Sequence, residues 1–341
     1  IGMDMGDKNH KAVGLSEDGE VICRDEVPCT PQDVRAYLKR HPGALLAIET
    51  GTHCRWVSAI GQELGNEVLV GNARKLRMIW DSSRKNDWND AEKLAKVARM
   101  DRTMFSPVRL RGDGDQGLMR LVKSRDLLVK GRTGIVNQIR GFCKSEGARL
   151  PKRSAASFAR LEGEVPPAVR EVAKPLFAVL NELAKKIGLY DTMIADAVKR
   201  LHGEEAALLE PVAGVGPVTA AAFLAAVGDV ATFGSARDAG PYFGLIPRQD
   251  QSGQTDKQLR ISKEGNELVR RLLVTAANHI MGPFGKDCEL RRHGIKIAER
   301  GGKNAKKRAK VAVARKLAVL MLAILRTKSV YRPLTDVGAV A

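Results

Sequence analysis

Aromatic residues are scarce, making up 4% of the 341 positions. A protein that grips single strands by stacking bases on aromatic platforms needs more of them, so nucleic-acid binding here would rest on backbone electrostatics. Cysteine is scarce as well. Cys23, Cys29, Cys54, Cys143 and Cys288 are scattered, with no Cys-x-x-Cys pair. That argues against zinc and against a disulfide framework, and fits a reducing cytoplasm. The most apolar run, Leu317 to Leu325, falls far short of the ~20 residues needed to cross a bilayer, so no membrane partner is expected. The chain opens on Ile1 rather than Met, which suggests a short missing start. A strand-like segment follows at once, so no signal peptide is expected.

What is abundant is positive charge. Lys and Arg outnumber Asp and Glu by 57 to 39, for a formal charge of +18 and a pI near 9.9. Such an excess speaks about partners rather than fold, and the natural partner is a polyanion, nucleic acid first. If phosphate contacts dominate, affinity should fall steeply with salt.

The length implies two or three domains. Up to about residue 107, strand and helix signals alternate. Ile1–Gly6, Lys11–Leu15 and Glu20–Asp25 read as short strands separated by turn residues. A helix is predicted over Pro31–Arg40, with Thr30 as N-cap and Pro31 at the first position. Ala44–Glu49 reads as a strand, Trp56–Leu64 as an amphipathic helix and Glu67–Gly71 as another strand. A hairpin followed by β-α-β units predicts a mixed sheet with helices on its faces, the order of an RNase-H-like fold.

Residues 108–203 have a different texture. Leu121, Leu128, Ile135 and Phe142 fall at heptad spacing. After an interruption at Arg153–Pro167, Leu176, Leu180, Leu183, Ile187, Tyr190, Ile194, Ala197 and Leu201 step by fours and threes. The spacing predicts a coiled-coil arm or dimer seam, with an ordinary helical-bundle core as the alternative. Residues 204–341 read as helical and glycine-punctuated. The segment Pro211-Val-Ala-Gly-Val-Gly-Pro-Val-Thr219 has the form of a helix-hairpin-helix, whose turn would offer N–H groups to a phosphate; a plain tight turn is the competing reading. Lys303, Lys306, Lys307, Arg308 and Lys310 precede the apolar Leu317–Leu325 stretch. The last helix is therefore expected to be anchored at one end and to contact nucleic acid at the other, although charge runs are often only solvated faces.

Four acids stand out. Asp4 lies within the apolar Ile-Gly-Met-Asp-Met-Gly strand, and Glu49 closes Ala-Leu-Leu-Ala-Ile-Glu. An acid in such a strand needs a reason, because burying a lone carboxylate is costly. Asp87 and Asp90, in Lys-Asn-Asp-Trp-Asn-Asp-Ala-Glu, are spaced to share one helical face, though Asp87 or Asn86 could simply cap that helix. Together the four suit a hard cation such as Mg²⁺, and a pair of such ions could stabilise both the attacking and the leaving oxygen of a phosphodiester displacement.

At this point the sequence resembles a known family. Ile-Gly-Met-Asp, Ile-Glu-Thr-Gly-Thr and Lys-Asn-Asp-Trp-Asn-Asp-Ala are similar to motifs of the DEDD transposases of the insertion sequence 110 type. Ala-Gly-Val-Gly-Pro-Val-Thr-Ala, Phe-Gly-Leu-Ile-Pro-Arg, Gln-Ser-Gly-Gln-Thr, Ile-Ser-Lys-Glu-Gly-Asn and Arg-Arg-Leu-Leu continue the likeness in order. The resemblance implies a RuvC-like domain at 1–107, a coiled-coil arm at 108–203 and a helical transposase domain at 204–341. It implies a recombinase of an insertion sequence that joins element ends and target DNA under a bridge RNA, as a homo-oligomer, dimer or tetramer, acting at the bacterial nucleoid. The metal ligands would be Asp4, Glu49, Asp87 and Asp90, and Ser252 the nucleophile that links covalently to DNA. From the residues alone Ser252 sits in a polar, glycine-bearing stretch that reads as a turn, and a serine needs a base or a metal to activate it.

Ser262 is the alternative nucleophile, in a position expected for a helix N-cap. Arg248 and Lys257 are candidate phosphate contacts. His10 and His53 lie near the carboxylate motifs and could touch substrate, although an exposed loop is the commoner place for them, and His279 is expected in the core. Two rival readings remain: a junction-resolving nuclease without a covalent intermediate, and a binding scaffold without chemistry.

Overall fold

In the computed structural model, residues 1–73, 75–76, 86–105, 107–252 and 255–334 are described, with the backbone alone at 250, 252 and 255–258. Contacts divide the chain into two units, Ile1–Leu110 and Arg111–Ala341.

Period-two alternation in the first unit builds β1 (Gly2–Asp4), β2 (Asn9–Leu15), β3 (Val21–Pro28), β4 (Leu46–Glu49) and β5 (Val68–Gly71), in the order β3-β2-β1-β4-β5. β1, β2 and β3 pair antiparallel, while β4 pairs parallel with β1 and β5. Helix α1 (Pro31–Lys39) starts as its sequence requires: the Asp33 N–H donates to Thr30 Oγ1 at 3.2 Å, and Pro31 opens the first turn. With α2 (Cys54–Glu63) it covers the face that carries Met3 and Ile48.

The opposite face belongs to α3 (Asp87–Met100). Asn86 caps it, accepting from Trp88 N–H at 2.8 Å and Asn89 N–H at 3.2 Å. Leu94 and Ala98 of this helix share a core with Ala47. The helix lies so close to β1 that a Cβ on Gly2 would stand 2.1 Å from the Ala91 carbonyl oxygen. Only glycine permits that approach.

In the second unit, α4 (Asp113–Ser145) and α5 (Pro167–Leu209) run antiparallel. Val136, Ile139 and Cys143 meet Val169, Ala173, Phe177 and Leu180 at one end, where Phe158 stacks on Phe177. Leu118, Met119 and Val122 share a core with Ile194 and Ala197 at the other. On α5 the expected positions Leu180, Ile187, Ile194 and Ala197 are buried, while Leu201 is 37% exposed. On α4 the buried stripe lies one residue along from the heptad reading, and Leu121, Leu128, Ile135 and Phe142 are only half-buried. Both stripes are apolar, so pairing with α5, rather than the sequence of α4, selects between them. The backbone of α5 leaves helical geometry at His202 (φ −144°, ψ 37°), whose Nε2 lies 2.6 Å from Asp115 Oδ1 of α4.

The core beyond the hairpin is built on alanine. Every residue of α6 (Pro217–Val227) from Thr219 onward is buried, packed with α8 (Glu267–Met281) and α10 (Ala305–Thr327). The short α7 (Ala239–Tyr242) and α9 (Glu289–Ala298) complete the described α-helices of this unit. The apolar run of α10 is buried as its pattern predicts, and Lys306, Lys307 and Arg308 at its start are exposed. No helix among the described residues is long and apolar enough to cross a membrane. β6 (Pro247–Ser252) and β7 (Thr255–Ile261) form a separate antiparallel hairpin. The sequence reads there as a polar loop, because these strands lack the apolar alternation that marks a half-buried sheet.

Candidate active site

Strand register carries the acids to one place. Asp4 ends β1 two residues after Gly2, so it points to the same face, towards α3. In β4, Gly2 pairs with Ala47 and Met3 with Ile48. One further step sets Glu49 beside Asp4, on the face that Ala47 shares with α3. Ala91 and Ala95 lie over Gly2, so the first turn of α3, with Asp87 and Asp90, extends towards Asp4. Asp87 is exposed and Asp90 is 6% exposed. The register thus sets Asp4 and Glu49 at the C-terminal ends of adjacent parallel strands, with Asp87 and Asp90 in the first turn of the helix packed over β1. Asn86, not Asp87, does the capping.

The same register exposes a residue that the sequence reading missed. Lys11 pairs with Asp4 across β2, and its ammonium lies 4.9 Å from the Trp88 ring centroid and 2.6 Å from Glu26 Oε2. Lys11 and then Asn9 hold the Glu26 carboxyl below the usual carboxylate range. A lysine inside the strand Asn-His-Lys-Ala-Val-Gly-Leu was the available signal. It places one cation on the carboxylate face.

Four expectations need correction. His10 is not an exposed loop residue: it is fully buried in β2, and burial, followed by the nearby His53, holds its pKa below the ordinary histidine value. His53 is half-buried, with Nδ1 3.6 Å from Cys29 Sγ. His279 is exposed on α8 rather than in the core, because the buried stripe runs through Leu273, Ala276, Ala277 and Ile280. Ser262 does not cap α8. Asn266 does, accepting from Val269 N–H at 3.2 Å.

The remaining predicted residues belong to the second unit. Ser252 ends β6 opposite Thr255, and Lys257 lies in β7 opposite Asp250. Arg248, Lys303, Lys306, Lys307 and Arg308 are exposed, and Lys310 is half-buried. The glycine turn joins α5 to α6. Its Gly214 has φ +78°, and a Cβ there would meet Ile280 Cγ1 at 2.8 Å and the Ala276 carbonyl oxygen at 2.9 Å. Close packing on α8 therefore accounts for this glycine without a ligand.

Two family models match the chain in order, the first running past the boundary between the two units. Residues 1–145 match the family model of the DEDD IS110 transposases, and residues 206–288 match that of the transposase IS116/IS110/IS902 family. The transposase for insertion sequence element IS1111A of Coxiella burnetii is 28% identical over 341 residues, covering 97% of this chain and 91% of that protein. A probable family 20 transposase of Pseudomonas aeruginosa is 27% identical, covering 98% of each. A pilin gene-inverting protein of Moraxella bovis is 34% identical over 122 residues, covering 36% of this chain and 37% of that protein. With both family models matched in order, and full-length relatives of the same kind, the chain belongs to the IS110-type family of DEDD transposases.

Proposed function

We propose that the chain is the transposase of an insertion sequence, cutting and rejoining DNA strands with its four carboxylates and Ser252. The observation that carries the reading is the register that sets Asp4 beside Glu49 and turns both towards the first turn of α3.

The donor set fits a hard divalent cation, since it offers carboxylate oxygens alone, one of them on the nearly buried Asp90. Asp4, Glu49, Asp87 and Asp90 would hold Mg²⁺, as a pair of ions. When bound, Mg²⁺ at these oxygens supplies stabilisation of charge on the attacking and leaving oxygens of a phosphodiester displacement. The protein's own contribution is placement: two strand ends and a capped helix fix the carboxylates before substrate arrives. Lys11, on the same face, would draw a backbone phosphate towards them.

Ser252 would supply the covalent step. Its hydroxyl oxygen bonds to the scissile phosphorus as the phosphorus–oxygen bond to the neighbouring nucleotide breaks, and the serine proton leaves with the released hydroxyl. The reverse attack by a new strand end rejoins DNA and restores the serine. Residues 1–107 then act as a RuvC-like catalytic domain, 108–203 as a coiled-coil arm for dimers or tetramers, and 204–341 as the serine-bearing domain. Arg248, Lys257, Lys303, Lys306, Lys307, Arg308 and Lys310 would bind the phosphates of element ends, target DNA and a bridge RNA, in the cytoplasm at the nucleoid.

The test is a cleavage assay with Mg²⁺, the element's RNA and its DNA ends, comparing wild type with Ser252→Ala and Asp90→Ala on a denaturing gel. A protein–DNA adduct abolished by both substitutions is the expected result. Cleavage without an adduct, untouched by Ser252→Ala, removes Ser252 from the mechanism and leaves a junction-resolving nuclease.

A further inference from the structure

A second group of ligand-type side chains lies on the other face of the sheet. Cys23 and Asp25 alternate along β3, on the side that faces α1, and His41 follows α1 by two residues. One ligand atom from each of the three lies within 4.8 Å of the others. Through β2, Cys23 pairs with Gly14 while Asp4 is paired with Lys11. The group is therefore displaced along the strands from the carboxylates as well as turned away from them.

Several features build this place. A Cβ on Gly14 would stand 2.6 Å from Cys23 Sγ, so the glycine opens the space that the thiol occupies. The His41 backbone is fixed, its carbonyl accepting from Asn66 Nδ2 at 3.0 Å. Its ring lies against Tyr37, with centroids 4.8 Å apart. Among the described residues neither Asp25 nor the His41 ring makes a hydrogen bond or ion pair, so the donors converge without satisfying one another. The Tyr37 hydroxyl is buried with no hydrogen-bond partner among the described residues.

We infer that Cys23, Asp25 and His41 form a binding site for a borderline divalent cation, zinc by preference. A thiolate, an imidazole and a carboxylate are a zinc donor set, whereas Mg²⁺ avoids sulfur and nitrogen. Tetrahedral bonds of about 2.0–2.3 Å place ligand atoms roughly 3.5 Å apart, so closure needs movements of about an ångström. The fourth position is left for water. Binding releases the thiol proton. The ion clamps the end of α1 to the edge strand β3. The scattered cysteines of the sequence concealed this, because its three ligands come together only when β3 and α1 pack.

Cobalt(II) provides the test, since a thiolate ligand gives an intense near-ultraviolet charge-transfer band that carboxylates alone cannot give. Full-length protein is titrated with Co²⁺ under reducing conditions, followed by Zn²⁺. The expected result is a band that saturates at one Co²⁺ per chain and is bleached by Zn²⁺. The band disappears in Cys23→Ser, and binding weakens at least tenfold in His41→Ala. It persists in Asp90→Asn and in Cys29→Ser, the latter serving as control for the thiol beside His53. Far-ultraviolet circular dichroism confirms that each variant is folded. The inference is overturned if no band forms, or if the band survives Cys23→Ser and is lost in Cys29→Ser.

Discussion

The two units place their candidate chemistry on different kinds of structure. In Ile1–Leu110 the acids sit on two strand ends and the first turn of a capped helix, where backbone hydrogen bonds fix each position. In Arg111–Ala341 the candidate serine sits at the tip of a two-stranded hairpin, and Lys306, Lys307 and Arg308 lie on exposed helix surface. The first arrangement suits a reaction centre, which tolerates little displacement. The second suits a long polyanion, which is held by many approximate contacts. Small residues serve opposite ends in the two units: Gly2 brings a helix with two carboxylates onto the sheet, whereas the alanines of α6 only fill a core.

That contrast is open to direct attack. The largest effect is expected from Asp90→Ala, which should lower strand cleavage by about a thousandfold or more, the scale of several kcal/mol of lost charge stabilisation. A single-turnover assay in Mg²⁺ checks it, with unfolding in urea showing an intact fold. Next comes a pair of overpacking substitutions. Gly2→Ala must push α3 away from β1, and should cost about 1–3 kcal/mol and also raise the Mg²⁺ concentration needed for cleavage. Ala222→Leu, at a fully buried position of α6, should cost a similar amount of stability and leave the Mg²⁺ requirement unchanged. Equal shifts in that requirement would erase the distinction between the units.

A smaller effect tests the cation face. Replacing Lys306, Lys307 and Arg308 together by alanine should weaken DNA binding and flatten its salt dependence. The slope should fall by about 0.9 for each DNA phosphate that is no longer neutralised. Fluorescence anisotropy across a salt series measures it, and an unchanged slope would mark this helix end as merely solvated.

The smallest effect concerns pH. Burial, then Lys316, Arg300 and Lys296, hold the His293 pKa below the ordinary histidine value. Below about pH 6.5 the unfolded chain therefore binds a proton that the folded chain resists. Stability is complete above that pH and declines as pH falls through the folded value. His293→Gln should flatten the decline in urea unfolding followed from pH 7.5 to about 5.5, and an unaltered slope would remove His293 as its source.

Much of the first unit was legible. Thr30-Pro31 announces a helix start, and apolar Leu46–Glu49 announces a strand, because capping and burial act over a few residues. Asp4 and Glu49 were conspicuous for the same reason: each is an acid where the pattern demands an apolar residue. Lys11 was hidden because its relation to Asp4 exists only across a strand pair. His279 was misplaced because the apolar residues near it outweigh the polar Arg271, Thr275 and Asn278 that share its exposed side. The β6–β7 hairpin was missed because its strands are mostly polar, with only Leu259 and Ile261 of β7 alternating. The buried stripe of α4 moved by one residue because two apolar stripes overlap there.

One break in a helix has a mechanical consequence. From Pro167 to His202, at about 1.5 Å per residue, α5 measures roughly 50 Å, and at His202 the regular geometry is interrupted beside Asp115. The hairpin is thus a long arm whose regular helix is interrupted near its base, at the histidine–aspartate contact. A rotation of about 5° at that point displaces the far end by roughly 4–5 Å, close to the advance of one helical turn. The histidine–aspartate contact sits at the base of that arm, beside the core that Leu118, Met119 and Val122 share with Ile194 and Ala197.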